Sequence, residues 1–209
     1  MHAGTLSLHA QNVLAQLGDS GVVSQMYLVG GTALALQLGH RMSQDFDFCV
    51  KGNVLAENIA RDLGGVGKFS VDLLEPPHTL LGTFEEVKVS VFRYDYEMLE
   101  PLSVYRNVAL ASVKDIAAMK LSAICGRATK RDYVDVYVLS QLYNFDEQFS
   151  WYDKKYGELG NNIYTLIKAL GYFEDAEIDK MPEMLIPLEW EQVKSFLLAQ
   201  SLRLGKKLL

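Results

Sequence analysis

The chain has 209 residues, is 49% hydrophobic and 22% charged, and carries 20 Lys+Arg against 26 Asp+Glu, a formal net charge of −6. That apolar content suffices for a core and excludes an intrinsically disordered chain, while the acidic balance excludes a protein that coats nucleic acid by bulk charge. At the usual ~150 residues per domain, the length fits one domain, or one with an appended helical half. No run approaches the ~18 apolar residues of a membrane span, and the first residues lack the basic start and apolar stretch of a signal peptide, so a cytoplasmic protein is expected. Cys49 and Cys125 stand far apart with no CxxC spacing, which reads as two half-buried thiols and not as a disulfide framework or zinc site.

Apolar residues at Leu6, Leu8, Val13, Leu14 and Leu17 predict an amphipathic helix over 5–17 that stops before Gly18. Met26 to Val29 reads as a short strand, Gly30-Gly31-Thr32 as a tight turn, and residues 33–38 as a helix closed by Gly39. Asp45 to Val50 alternates acid and apolar residues before an apolar end, the mark of a strand with one polar and one buried face. A helix is expected over 53–63. From Phe69 to Tyr96 the chain is rich in Val, Phe and Tyr, is broken by Pro76-Pro77 and Gly82, and alternates Val87, Val89 and Val91; two or three strands fit there. Beyond Pro101 helices are expected over 113–125, 130–143, 162–170 and 189–203, with 146–160 and 173–187 as loops carrying short helices. The first half is therefore α/β and the second helical. Two regions are expected: a core over 1–100 and a helical region over 101–209 that packs on it and completes the active site.

Side chains alternate along a strand, so Asp45 and Asp47 share a face about 7 Å apart while Phe46 and Phe48 enter the core. Two carboxylates on one face repel unless a divalent cation sits between them, and hard oxygen ligands select Mg²⁺ or Mn²⁺. A solvent-facing strand with two ordinary acids carries the same pattern. Upstream, Gly-Gly-Thr opens a helix whose free N–H groups and dipole suit a phosphate, although a plain tight turn with Thr32 as N-cap reads equally from those three residues. A phosphate-binding turn followed by a metal-binding Asp-x-Asp strand is what nucleotide transfer needs: one element grips the triphosphate and the other holds the metal that neutralises charge at the α-phosphate.

Downstream, Lys120 lies four residues from both Ile116 and Ile124, on the apolar face of its helix, where it must snorkel out or find an anion. In Arg127-Ala128-Thr129-Lys130-Arg131-Asp132-Tyr133-Val134-Asp135, the two aspartates share a helix face. Thr129-x-x-Asp132 fits a capping box, as does Ser112-x-x-Asp115, each worth ~1 kcal/mol. Asp115 reads as a capping residue, Asp132 as capping or catalytic, and Asp135, one turn inside the helix, as the better candidate for a general base.

The segment YLVGGTALALQLGHRMSQDFDF resembles the GG[ST]…Dx[DE] signature of the nucleotidyltransferase superfamily, the DNA polymerase β-like proteins. The wording Gly-Gly-Thr-Ala-Leu and Arg41-x-Ser43-x-Asp45-x-Asp47-Phe48 resembles the AbiEii/AbiGii toxin branch, the toxin side of bacterial toxin–antitoxin pairs, and DIAAMKLSAI…R…RDYVDVYVL is similar to that family's downstream motifs. The resemblance spans about residues 26–143. It implies an α/β (α+β) fold, a mixed sheet with flanking helices followed by a helical C-terminal half. It also implies a nucleoside triphosphate substrate with Mg²⁺ or Mn²⁺ on Asp45 and Asp47. Gly30, Gly31, Thr32, Ser43, Lys120, Arg127 and Arg131 would bind the nucleotide, Lys120 through its phosphates; Asp135, with Asp132 as second candidate, would be the aspartate needed for activity. The implied acceptor is RNA, with tRNA ends first, or a protein hydroxyl; a cognate antitoxin and a place in phage defence are implied as well, and no membrane.

One departure stands out. Superfamily members place a third carboxylate on a neighbouring strand, but Val87-Lys88-Val89-Ser90-Val91 offers Lys88 and Ser90 on its polar face, with Asp72 as a substitute or a plain surface acid. A kinase attacking the γ-phosphate, a nucleotide-binding module without turnover, and a soluble α/β protein with incidental acids remain open from the residues. Between Ser112 and Arg131, the bases Lys114, Lys120, Arg127, Lys130 and Arg131 face the single acid Asp115, a local basic patch that readmits RNA as an acceptor.

Overall fold

The computed structural model describes residues 1–52, 55–76, 79–126 and 128–207. The chain divides into two compact units, Met1–Ser112 and Val113–Leu209.

The first unit is built on a seven-stranded sheet. In chain order it contains α1 (Leu8–Ser20), β1 (Met26–Leu28), α2 (Gly30–Leu38), β2 (Phe46–Val50), α3 (Ala56–Val66), β3 (Phe69–Glu75), β4 (Thr79–Phe84), β5 (Val87–Arg93), β6 (Ser103–Tyr105) and β7 (Val108–Leu110). The spatial order is β3-β4-β5-β2-β1-β7-β6. β2–β5 and β1–β7 pair parallel and the other pairs antiparallel, the mixed sheet expected. Alternation sorts the faces: Phe46, Phe48, Leu80, Phe84, Val89 and Val91 are all buried on one side. α3 packs along β3 and β4 on its Ile59 and Leu63 stripe, and α1 packs on β7.

Several boundaries differ from the expected ones, each for a local reason. α1 runs through Gly18 to Ser20 and ends at Gly21, which takes the left-handed conformation at φ 74°. Gly18 is there for close approach, since a Cβ on it would stand 2.0 Å from the Arg106 carbonyl oxygen. Thr32 is not an N-cap: α2 begins at Gly30 with Val29 as its cap, which puts Thr32 in the first turn. Residues 69–93 form three strands. α3 begins at Ala56 and runs past residue 63 to Val66; positions 53 and 54, expected to open it, and Pro77 lie outside the described residues. Residues 103–110, expected among the helices, form the β6–β7 hairpin, so the sheet unit extends to Ser112 and not to residue 100. Its turn, Arg106-Asn107, has φ of 49° and 59°, both left-handed, which lets two three-residue strands reverse tightly.

The second unit holds α4 (Val113–Gly126), α5 (Lys130–Leu142), α6 (Phe145–Tyr156), α7 (Leu159–Ala169), the one-turn α8 (Glu174–Glu177) and α9 (Trp190–Lys207). α6 is a full helix where a loop was expected. A capping box secures its start, Asn144 accepting from the Glu147 N–H while the Glu147 carboxylate accepts from the Asn144 N–H. α4 is the hub, packing on α5, α6 and α7 through Ala118, Leu121 and Ile124. Tyr133 closes the other side, its hydroxyl donating to the carbonyls of Ala169 and Tyr172 and its ring edge-on to Phe173 and Trp190.

The two cysteines are free, but neither is half-buried as expected: Cys49 is buried on β2 and Cys125 exposed at the end of α4.

Two outcomes follow for the fold. Helix propensity alone would make Gly18→Ala stabilising by up to ~1 kcal/mol, but the clash with the Arg106 carbonyl makes it destabilising by about 1–3 kcal/mol. A thermal melt will show a Tm lowered by several degrees. Partial covering pushes the Cys125 thiol up to about 11. Iodoacetamide at pH 8 will therefore alkylate it roughly ten- to a hundredfold more slowly than a free thiol, with the rate climbing steadily as pH approaches 11.

Candidate functional site

β1 is short and buried, and its chain turns directly into α2, so the α2 N-terminus stands beside the start of β2. Val29 N–H donates to the Asp47 carbonyl at 2.8 Å, extending the ladder one residue past β1. Gly30 then adopts φ 66°, and a Cβ on it would come 2.8 Å from the Asp47 Oδ2. Only glycine meets both demands, the left-handed backbone and the approach to the carboxylate. Gly31 is hemmed in by Arg41, whose Nη2 would stand 2.3 Å from a Cβ there. Arg41 is 2% exposed and donates through Nη1 to the Met42 carbonyl. A guanidinium is buried only with its donors engaged, so Arg41 acts as a fixed strut behind the turn.

Thr32, buried in the first turn of α2, ties this helix to the acidic segment. Its hydroxyl donates to the Asp45 carbonyl at 2.5 Å and lies 2.7 Å from the Ser43 hydroxyl. Having spent its one proton on Asp45, Thr32 receives the Ser43 hydroxyl as acceptor. Asp45 precedes β2 by one residue and Asp47 sits within it; both are half-buried. The structure thus brings together Gly30, Gly31, Thr32, Ser43, Asp45 and Asp47, residues the sequence separates by up to seventeen positions.

The third carboxylate is absent from its expected place. β2 and β5 pair with Asp47 opposite Ser90, so the neighbouring position on the same face holds a hydroxyl. Asp72 does not replace it, because β3 is the sheet edge with β4 and β5 between it and β2, roughly 14 Å at ~4.8 Å per strand. Among the described residues no group of three or more His, Cys, Asp or Glu is placed to hold a metal ion. Two carboxylates still suit Mg²⁺, which commonly takes one or two from the protein and completes its octahedron with water and substrate phosphate oxygens.

In the helical unit the predicted residues form a second cluster. Lys120 is 4% exposed between Ile116 and Ile124, so it does not snorkel. Its Nζ lies 2.8 Å from Asp132 Oδ1 and 2.6 Å from Asp135 Oδ2, with both carboxylates buried. Asp132 lies in the capped first turn of α5 and against Lys120. Thr129 caps α5 by accepting from the Asp132 N–H, and its hydroxyl donates to Asp132 Oδ2 at 2.5 Å. Asp115, expected as a capping residue, pairs with Lys155 at 2.7 Å with both side chains fully buried. Lys155 was missed by sequence reasoning, because its partner lies forty residues away and only α4–α6 packing unites them.

The basic patch does not survive as a free surface. Lys120 is enclosed, Lys130 is 7% exposed with its Nζ 4.9 Å from the Trp190 ring centroid, and Lys114 lies 5.6 Å from that of Trp151. Arg131 is exposed, and Arg127 lies outside the described residues.

The family model for the nucleotidyl transferase AbiEii toxin, Type IV toxin–antitoxin system, matches residues 12–75 and 79–202. The chain belongs to the AbiEii family. It is therefore a nucleotidyltransferase of the toxin side of a Type IV system. An uncharacterized protein of Aquifex aeolicus (strain VF5), aq_aa25, is 32% identical over 197 residues, covering 91% of this chain and 93% of its own. JHP933 from Helicobacter pylori has a similar fold at a TM-score of 0.57 and 18% identity, covering 97% of this chain and 94% of that one. The nucleotidyltransferase toxin MenT4 (Rv2826c) from Mycobacterium tuberculosis H37Rv gives 0.56 and 16%, covering 96% and 87%. No helix among the described residues is long and apolar enough to cross a membrane.

Replacing Lys120 by Met removes the ammonium that lies between two buried carboxylates, and urea unfolding of this AbiEii-family chain will show a loss of about 3–5 kcal/mol.

Proposed function

We propose that this chain transfers a nucleoside monophosphate from a nucleoside triphosphate to a hydroxyl at an RNA end, tRNA first, with Mg²⁺ held by Asp45 and Asp47. The observation that carries the reading is the approach of Gly30 to Asp47. It sets a helix N-terminus, with its unsatisfied N–H groups, against a carboxylate pair on one strand. Phosphate and divalent cation are the two halves of one substrate, and these are the two groups such a corner attracts.

In this reading the backbone N–H groups of Gly30 and Gly31, with Thr32 and Ser43, orient the phosphates. When bound, Mg²⁺ supplies neutralisation of the charge that builds on the α-phosphate. The acceptor hydroxyl loses its proton toward Asp135 or Asp132 as its oxygen bonds to the α-phosphorus, and the bond to pyrophosphate breaks. Lys120 neutralises the triphosphate, with Arg131 and Arg127 assisting. Because two aspartates hold the Lys120 ammonium, it serves a phosphate only by exchanging one carboxylate contact for a phosphate oxygen, which would release that aspartate as a base. A cognate antitoxin, encoded in the adjacent reading frame, and a cytoplasmic setting complete the proposal.

The test uses nucleoside triphosphates labelled at the α- or the γ-phosphate, incubated with total RNA and the full chain. Label from the α position will appear in RNA and label from the γ position will not; the reverse result makes the protein a kinase. Asp45→Asn and Asp47→Asn will each lower α-label incorporation by roughly a hundredfold or more, the scale of several kcal/mol lost at the metal. Full incorporation by both variants would end the assignment of these residues.

A further inference from the structure

Beside the carboxylates, the sheet has a face that is buried at Cys49 but partly exposed over β5, β4 and β3. Paired residues of adjacent strands share a face, so the register extends Asp47's side outward. Ser90 stands opposite Asp47 and Phe92 opposite Cys49 on β5; beyond them on β4, Leu81 pairs with Ser90, Thr79 with Phe92 and Thr83 with Lys88. The reverse face of the same strands is closed, with Val87, Val89, Val91, Leu80 and Phe84 all buried. This side is open: Phe92 is 37% exposed, Leu73 on β3 41%, and Lys88 is exposed. Among the described residues the Lys88 ammonium has no ion-pair partner and the Phe92 ring no aromatic one. The hydroxyls of Ser90, Thr79 and Thr83 likewise make no hydrogen bond there.

We propose that this open face of β5 and β4 is the platform on which the acceptor strand, a single-stranded RNA end, is laid. The inference rests on the nucleotidyl-transfer reading and supplies the acceptor surface it lacks. Three features choose RNA. The platform is continuous with the carboxylate pair, Phe92 and Lys88 each lying roughly 8 Å from the Asp47 backbone by strand spacing. An exposed ring on a sheet stacks an unpaired base, as sheet-borne aromatics do in single-strand recognition. A lysine with no ion-pair partner among the described residues meets a backbone phosphate, and the row of hydroxyls matches sugar and base edges.

Fluorescence anisotropy with a short fluorescein-labelled single-stranded RNA carrying a free 3′ hydroxyl tests the platform apart from catalysis. Phe92→Ala will weaken binding roughly 5- to 100-fold. Phe92→Tyr will restore it, which a purely structural role in sheet packing would not require, and Phe92→Leu will keep the fold without the ring. Lys88→Ala will flatten the slope of log K against log salt by about 0.7, one single-strand phosphate contact. If wild-type protein moves α-label to RNA while these variants bind like wild type, the platform is wrong and the transfer reading stands. If the RNA binds through Phe92 and Lys88 but receives no label, the platform stands and the transfer reading fails. Wild type that does not bind RNA and labels a protein hydroxyl overturns the platform.

Discussion

The site depends on one close approach, that of the Gly30 backbone to the Asp47 carboxylate. A helix N-terminus carries about half a positive charge, and a carboxylate pair repels itself, so each is costly alone in a half-buried setting. Together they lower each other's cost, and it is to this corner that the proposed function assigns both an anion and a cation. Thr32 makes the arrangement rigid, since its hydroxyl spans from the first turn of α2 to the Asp45 carbonyl and Ser43. Displacing the turn by a single methyl group at position 30 would separate the two halves.

The helical unit solves a different electrostatic problem. One ammonium, Lys120, lies between two buried carboxylates, Asp132 and Asp135, and the Thr129 hydroxyl donates to the first of them. Lys155 and Asp115 form a balanced pair in the same unit. The balanced pair is an inert brace between α4 and α6. The Lys120 cluster, which joins α4 to α5, is the one for which the acid–base role is proposed.

Much of this was legible in the residues because the signals were local. The Asp45-Phe46-Asp47-Phe48 alternation, the glycine turn and the Gly39 stop each lie within one turn or strand, and the structure places all three close to the expected positions. What escaped was set by distant partners or by weak local preference. The strands of β6 and β7 have only three residues each and take their identity from pairing, β7 with β1 and β6 with β7. The apolar stripe of α6 is diluted by Asp146, Glu147, Asp153 and two lysines, so its periodicity is faint although its capping box is plain. The basic patch failed because counting charges along a chain ignores burial: Lys120 and Lys130 point inward. The polar side of β5 was legible in the alternation at 87–91, but its continuity with Asp47 and with β4 exists only once register is known.

Arg41 carries a consequence for how such chains vary. Its guanidinium fills the space that a side chain at position 31 would need, and being 2% exposed it has nowhere to retreat. Positions 31 and 41 are therefore one inheritable choice, glycine with arginine. A descendant that acquired a side chain at 31 would have to shorten residue 41 in the same lineage, losing the strut that holds the glycine turn.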